Sequence, residues 1–191
     1  LTWVRGNVLL NQRIRSMFLD LHVGLVIQDN TIISDDVYNA DNYSAIRAYT
    51  KGSIPNAFDR NFIRVATTAA PINGGSSPNP YLVLLYYIET SGVRNSVRNN
   101  MIFNPLQTTT SVIPTLYCDC KNADFLHNTV RGVAFLAAPA PLSTDSIVVR
   151  NNIFMTAASH YALDVPGALT GWVSDNNVFS SGPAGDYTIV F

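Results

Sequence analysis

Glutamate and lysine are almost missing from this chain. Among 191 residues there is one Glu, Glu89, and there are two Lys, Lys51 and Lys121, against nineteen Asn. Glu and Lys commonly fill the exposed faces of helices, whereas Asn favours turns, so their scarcity argues against a helical protein. Charge of either sign is also scarce: 13% of residues are charged and the formal net charge is -1. With no basic excess to meet a phosphate backbone, nucleic acid is not an expected partner. An apolar content of 47% with a net charge near zero excludes disorder. The longest apolar run, YLVLLYYI at 81–88, is far short of the roughly 20 residues a membrane helix needs, so no membrane association is expected. Two Cys, in CDC at 118–120, are too few for a disulfide framework or a zinc motif. A bridge between residues two apart is strained, so Cys118 and Cys120 read as a buried, reduced pair. No initiator Met or signal peptide heads the chain, and Leu1 opens in mid-phrase, as in a processed protein or an excised piece.

What is present is a repeated phrase. IVVRNNIF at 147–154 returns as WVSDNNVF at 172–179 and, earlier, as SVRNNMIF at 96–103. Seven segments share the pattern of a charged or small residue, Asn, any residue and an apolar residue, carried by Asn7, Asn30, Asn61, Asn99, Asn128, Asn151 and Asn176. Their spacings are 23, 31, 38, 29, 23 and 25 residues, within the range that marks a solenoid. Before these segments lie short apolar or alternating stretches: SMFLDL at 16–21, SAIRAY at 44–49, LVLLYYI at 82–88, TLYCDC at 115–120, GVAFLA at 132–137 and YALDV at 161–165. DYTIVF at 186–191 supplies a seventh. Turn-like strings such as KGSIPN and ETSGVRN separate them. Each unit is predicted to run strand, turn, strand, Asn turn, strand and variable loop. The stretches are too short and too punctuated for helices, and the NG or DG hairpin turns of a β-sandwich are not found between them. Asn accepts the left-handed conformation of a sharp bend, and its amide can donate and accept between neighbours about 4.8 Å apart, so the seven Asn are expected to form a ladder.

The alternation of VVRNNIF-like phrases with apolar strands resembles the right-handed parallel β-helix of the pectate-lyase-like superfamily. The resemblance spans the chain and is clearest around Asn99, Asn128, Asn151 and Asn176. It implies an all-β fold, a right-handed parallel β-helix (solenoid) of about seven rungs in a single domain over residues 1–191, an incomplete or uncapped portion of a longer helix. It also implies a polysaccharide or glycan partner and a secreted or cell-surface location. The superfamily contains lyases, hydrolases, epimerases, esterases, spikes and adhesins, and fold alone does not choose among them.

Alternation along the upstream strands turns Phe18, Asp20, Arg47, Tyr49, Tyr117, Asp119 and Asp164 outward, with Glu89 at the edge of the fourth. Aromatics mixed with carboxylates suit saccharides, whose rings stack and whose hydroxyls bond. The plainer reading is that any half-exposed sheet carries polar outer positions. Hydrolysis normally needs two carboxyl groups, and Asp35 with Asp36 is the candidate pair, although its SDD context is also that of a solvated turn. A lyase needs a base and a cation beside the sugar carboxylate. Arg47, Lys51 and Arg64 are the basic candidates, and Glu89 with Asn61 is the candidate set for Ca²⁺. Arg60, Arg98 and Arg150 each precede one of the seven Asn and are read as one outward column, with His127 in the same place in its unit.

Two functions follow. One is a carbohydrate-acting or carbohydrate-binding β-helix, a polysaccharide lyase or glycoside hydrolase if catalytic. The other is a non-catalytic module such as a spike, adhesin or interaction scaffold. Strand edges at both ends of a coil invite pairing, so the chain is expected either to be part of a longer helix or to associate end to end as a homo-oligomer.

Overall fold

A computed structural model of the chain describes residues 1–12, 15–35, 44–51, 54–66, 82–88, 93–105, 114–120, 122–137, 146–156, 162–165, 171–180 and 189–190. Every regular element among them is a β-strand. In chain order these are β1 Thr2–Arg5, β2 Val8–Leu10, β3 Arg15–His22, β4 Leu25–Gln28, β5 Thr31–Ser34, β6 Ser44–Lys51 and β7 Ala57–Asp59. They continue with β8 Phe62–Val65, β9 Val83–Ile88, β10 Asn95–Arg98, β11 Met101–Phe103, β12 Pro114–Cys120, β13 Ala123–Leu126 and β14 Thr129–Arg131. The last are β15 Val133–Ala137, β16 Ile147–Arg150, β17 Ile153–Met155, β18 Leu163–Asp164, β19 Val173–Asp175, β20 Val178–Ser180 and β21 Ile189–Val190.

Every third strand joins the same sheet. The first sheet runs β1-β4-β7-β10-β13-β16-β19, the second β2-β5-β8-β11-β14-β17-β20, and the third β3-β6-β9-β12-β15-β18-β21. All pairings are parallel. This is a β-solenoid arrangement, and the third sheet is built from the seven apolar stretches read in the sequence.

The bend between the first and second sheets explains the repeated phrase. Gly6, Asp29, Arg60, Asn99, His127, Asn151 and Asn176 occupy it with φ between 53° and 68°. Side chains resist that left-handed conformation, and Gly, Asn and Asp resist it least. The next residue is always Asn: Asn7, Asn30, Asn61, Asn100, Asn128, Asn152 and Asn177. Each of the first six donates its backbone N–H and its Nδ2 to Oδ1 of the Asn that follows. The five inner members are buried. Asn30, Asn61, Asn100, Asn128, Asn152 and Asn177 also donate to a carbonyl of the first-sheet strand one coil earlier: Val4, Ile27, Phe58, Val97, Phe125 and Val149.

Asn99, Asn151 and Asn176, expected in this series, are therefore corrected to Asn100, Asn152 and Asn177. In each Asn-Asn pair the first residue takes the strained bend and projects outward, and only the second points to its neighbours. Arg60 likewise shares the bend position with His127, one place later than Arg98 and Arg150, so the three arginines do not form one column. The true column is Arg5, Gln28, Asp59, Arg98, Leu126, Arg150 and Asp175.

Inside, equivalent residues stack from strand to strand. Ile27, Phe58, Val97, Phe125 and Val149 are in register in the first sheet, and Ile32, Ile63, Ile102, Val130 and Phe154 in the second. Ile46, Val83, Leu116, Ala134 and Leu163 complete the third. All fifteen are at most 1% exposed, and each large one contributes about 1.5–3 kcal/mol by leaving water. Cys118 is buried and reduced among them. A second, shorter polar series lies where the chain enters the first sheet. Asn56 donates from N and Nδ2 to Asn95 Oδ1, while its own Oδ1 accepts from Leu25 N–H at 2.8 Å. Both residues lie in the turn-like strings KGSIPN and ETSGVRN, whose Asn is buried here instead of exposed.

Candidate functional site

The three outer faces differ in chemistry. On the first sheet the charges are spent on one another. Asp29 is held between Arg5 at 3.0 Å and Arg60 at 2.7 Å, and Arg60's bond holds its carboxyl well below the usual range. Asp124 accepts from Arg94 and Arg98. Asp59 accepts from Ser96 Oγ and Arg98 N–H, while burial raises its pKa against these bonds. On the second sheet Val8, Thr31, Phe62, Met101, Thr129, Ile153 and Val178 form one largely apolar column in register.

The third sheet carries the mixed surface. Its first five strands, β3, β6, β9, β12 and β15, are the longest, with β3 and β6 at eight residues, so they present more outward positions than the strands of the other sheets. One row in register is Phe18, Arg47, Leu84, Tyr117, Phe135, Asp164 and Val190. A second row is Tyr49, Tyr86, Asp119 and Ala137. Phe18 is 49% exposed and meets Tyr49 edge to face at 6.3 Å. The Arg47 guanidinium lies over both rings, 5.8 Å from Phe18 and 5.1 Å from Tyr49, and its Nε donates to the Tyr49 hydroxyl at 2.6 Å. The cation is thus fixed by quadrupole attraction and one hydrogen bond. No salt bridge joins it among the described residues.

Asp119 is the unusual member. Its neighbour Cys118 faces the core, so alternation turns Asp119 outward, yet only 7% of it is exposed. Its Oδ1 is buried without a hydrogen-bond partner, and burial pushes its carboxyl up to about 6. A carboxyl so placed is ready to accept a donor from a ligand or to hold a proton near neutral pH.

The remaining candidates are dispersed. Asp20 is exposed on β3. Lys51 and Asp164 have described backbones, with Lys51 two places beyond Tyr49 on β6, but their side chains lie outside the described residues, as do Asp36 and Glu89 entirely. Arg64 is on β8 of the second sheet and pairs with the exposed Asp35 at 2.6 Å, so it does not join Arg47 and Lys51, and Asp35 belongs to that surface pair. Asn61 spends its amide on Asn30, Asn100 and the Ile27 carbonyl, which removes it as a calcium ligand. Among the described residues no three His, Cys, Asp or Glu gather as a metal site. No family model, curated protein or solved structure matches the chain.

Proposed function

We propose that the outer face of the third sheet binds an extended saccharide, on a right-handed parallel β-helix of the pectin-lyase type whose seven coils are closed by an Asn ladder. The Asn-to-Asn hydrogen bonds and the three-strand period support that fold. The observation that carries the function is the presence, on one sheet, of the exposed Phe18 ring, the half-buried Tyr49 and Tyr117, a fixed guanidinium and a buried carboxyl. Phe18 and Tyr117 are three strand intervals apart in one row, or about 14 Å. A linear glycan lying across the strands meets a new outward residue at each coil. Its apolar ring faces stack on Phe18 and Tyr117, and its hydroxyls bond to Arg47 and Asp119. A polysaccharide partner goes with a secreted or cell-surface location.

Binding is tested by affinity electrophoresis of the chain in gels cast with neutral and acidic polysaccharides. At least one polymer is expected to retard the protein, and Phe18→Ala with Tyr117→Ala is expected to abolish the retardation. Retardation by none, or retardation untouched by the double variant, sinks the reading. One feature favours catalysis as a second reading: the Asp119 carboxyl is buried with its Oδ1 unpartnered, and burial pushes it up to about 6, within the range useful to a proton donor or acceptor. Turnover by the wild type that disappears in Asp119→Asn, with binding retained, selects it. Reducing-end release or the ultraviolet absorbance of an unsaturated product reports the turnover.

A further inference from the structure

We propose that a second copy of this chain docks on the outer face of the second sheet, face to face, as a dimer whose two-fold axis is parallel to the coil axis. Two outward columns make up this face. The first is the largely apolar column from Val8 to Val178 described above. The second runs in register from Leu10 through Ile33, Arg64, Phe103, Arg131 and Met155 to Ser180. The residue between them on each inner strand, such as Ile63 or Ile102, is buried in the core, so both columns stand outside. Their exposure does not depend on the end coils: Met101 and Ile153, in the fourth and sixth coils, are 45% and 39% exposed. Phe62 and Phe103 add two half-buried rings 6.0 Å apart. No pairing in this sheet carries a bulge, unlike two in the third sheet, so the columns run straight. Seven coils at about 4.8 Å make the face about 29 Å long, an apolar patch of the few hundred Å² that mark an interaction surface.

The placement of charge selects the occupant. The only charged side chains in the two columns are Arg64 and Arg131, and both stand in the second. Arg64 is tied to Asp35 at 2.6 Å. Arg131 is exposed and has no ion-pair partner among the described residues. A hydrocarbon surface would strip the water from both cations and return nothing. A second copy turned about the two-fold lays each column on the other, coil for coil, at the roughly 10 Å spacing of packed sheets. Arg64 then meets the Phe62 ring of the second copy and Arg131 meets its Thr129 hydroxyl, while Met101 meets Phe103 and Ile153 meets Met155. No cation faces a cation. Reversing one copy end for end instead sets Arg64 against Arg131, so the face favours the parallel arrangement. The contact is isologous and closes as a dimer, and it uses no residue of the third sheet. Its small area places it among weak, transient interfaces.

The test uses the 191-residue chain in sedimentation velocity over a wide concentration range. The wild type is expected to pass from monomer to dimer as concentration rises. Met101→Arg, at an exposed site in the middle of the face, is expected to weaken association at least about tenfold. Thr129 reads the geometry, because it faces Arg131 of the second copy. Thr129→Arg is expected to weaken association at least about tenfold, whereas Thr129→Asp should leave it as tight or tighter. Methionine oxidation by dilute peroxide gives a readout without a variant. Met101 should react more slowly as concentration rises, while Met17, buried in the core, stays slow throughout. A wild type that remains monomeric, with Met101 oxidation independent of concentration, overturns the proposal, the face then serving a partner of another kind. Association that Met101→Arg leaves unchanged runs through another surface and overturns it too. Equal weakening by Thr129→Arg and Thr129→Asp does the same.

Discussion

Replacing Asn100 by Ala removes the centre of the hydrogen-bonded series, and the structure sets what that costs. Asn100 Oδ1 accepts from Asn61 N–H at 2.9 Å and from Asn61 Nδ2 at 3.0 Å. Its own Nδ2 donates to Phe58 O at 2.7 Å and Asn128 Oδ1 at 2.9 Å. Alanine leaves two donors on Asn61, itself buried, with no acceptor. Asn128 Oδ1 keeps a donor, because Asn100 N–H still reaches it at 3.1 Å. Two orphaned buried donors at roughly 1–3 kcal/mol each predict a loss of about 2–6 kcal/mol. Two neighbours serve as controls. Asn99→Ala removes, at φ 55° and without touching the series, the short polar side chain that lets Asn tolerate the left-handed conformation and should cost about 1 kcal/mol, while Asn99→Gly should be nearly neutral. Asn7→Ala strands no donor, because nothing among the described residues donates to the Asn7 side chain and the Thr31 N–H bond to its backbone carbonyl is kept, and it should cost about 0.5–1.5 kcal/mol. Urea denaturation followed by circular dichroism measures all four. The reasoning is refuted if Asn99→Ala is as damaging as Asn100→Ala, or if Asn100→Ala costs less than about 1 kcal/mol.

Asp119 makes stability depend on pH with a definite sign. Its folded carboxyl sits at about 6 against an ordinary 3.8, so the folded state holds the proton more tightly and stability falls as pH rises from about 4 to above 6. At 1.36 kcal/mol per pH unit the gap amounts to at most about 3 kcal/mol; Asp119→Asn should flatten that fall, and parallel slopes for the two proteins in urea melts at a series of pH values contradict it. Phe58→Ala opens a cavity in the stacked core and should cost about 3–5 kcal/mol by the same assay. Gly6→Asn should be tolerated, because Asn fills the equivalent bend at Asn99, Asn151 and Asn176. Gly24→Ala should be far worse than Gly6→Ala, since both have positive φ but only at Gly24 does the added Cβ fall 2.5 Å from Ile54 Cγ2.

The third-sheet strands are legible because their inward positions are apolar in an alternating pattern, as the burial of Met17, Ile46, Leu116 and Cys118 shows. The parallel register followed from the common phase of the phrases. The choice of Asn within RNN and DNN was not settled by the phrase itself. A second criterion was available: the bonded Asn always stands two places before the buried or partly buried residue of the second sheet, as with Asn30 and Ile32, Asn100 and Ile102, or Asn152 and Phe154. Counting back from the inward side chain finds Asn100, Asn152 and Asn177. Asn56 and Asn95 were illegible for a different reason, because a buried Asn and an exposed turn Asn have the same local spelling. Asp119 was read as outward on alternation, but its burial depends on residues distant in sequence, which no local pattern carries.

The same repeat that makes the core makes the three outer faces, and the difference between them is what localises a function. Arginines on the first sheet are tied to Asp29 and Asp124 across coils, so that face is already neutralised. Arg64 on the second sheet is tied to Asp35, beside a column whose outward residues are mostly apolar. On the third, Arg47 leans on Phe18 and Tyr49, and among the described residues neither it nor the buried carboxyl of Asp119 has an ion-pair partner. Holding a guanidinium and a carboxyl apart on one sheet, when both would gain by pairing, costs stability that the other two faces avoid. Of the two groups it is the half-buried Arg47 guanidinium, beside the exposed Phe18 ring, that faces outward, and this places the proposed binding on the third sheet.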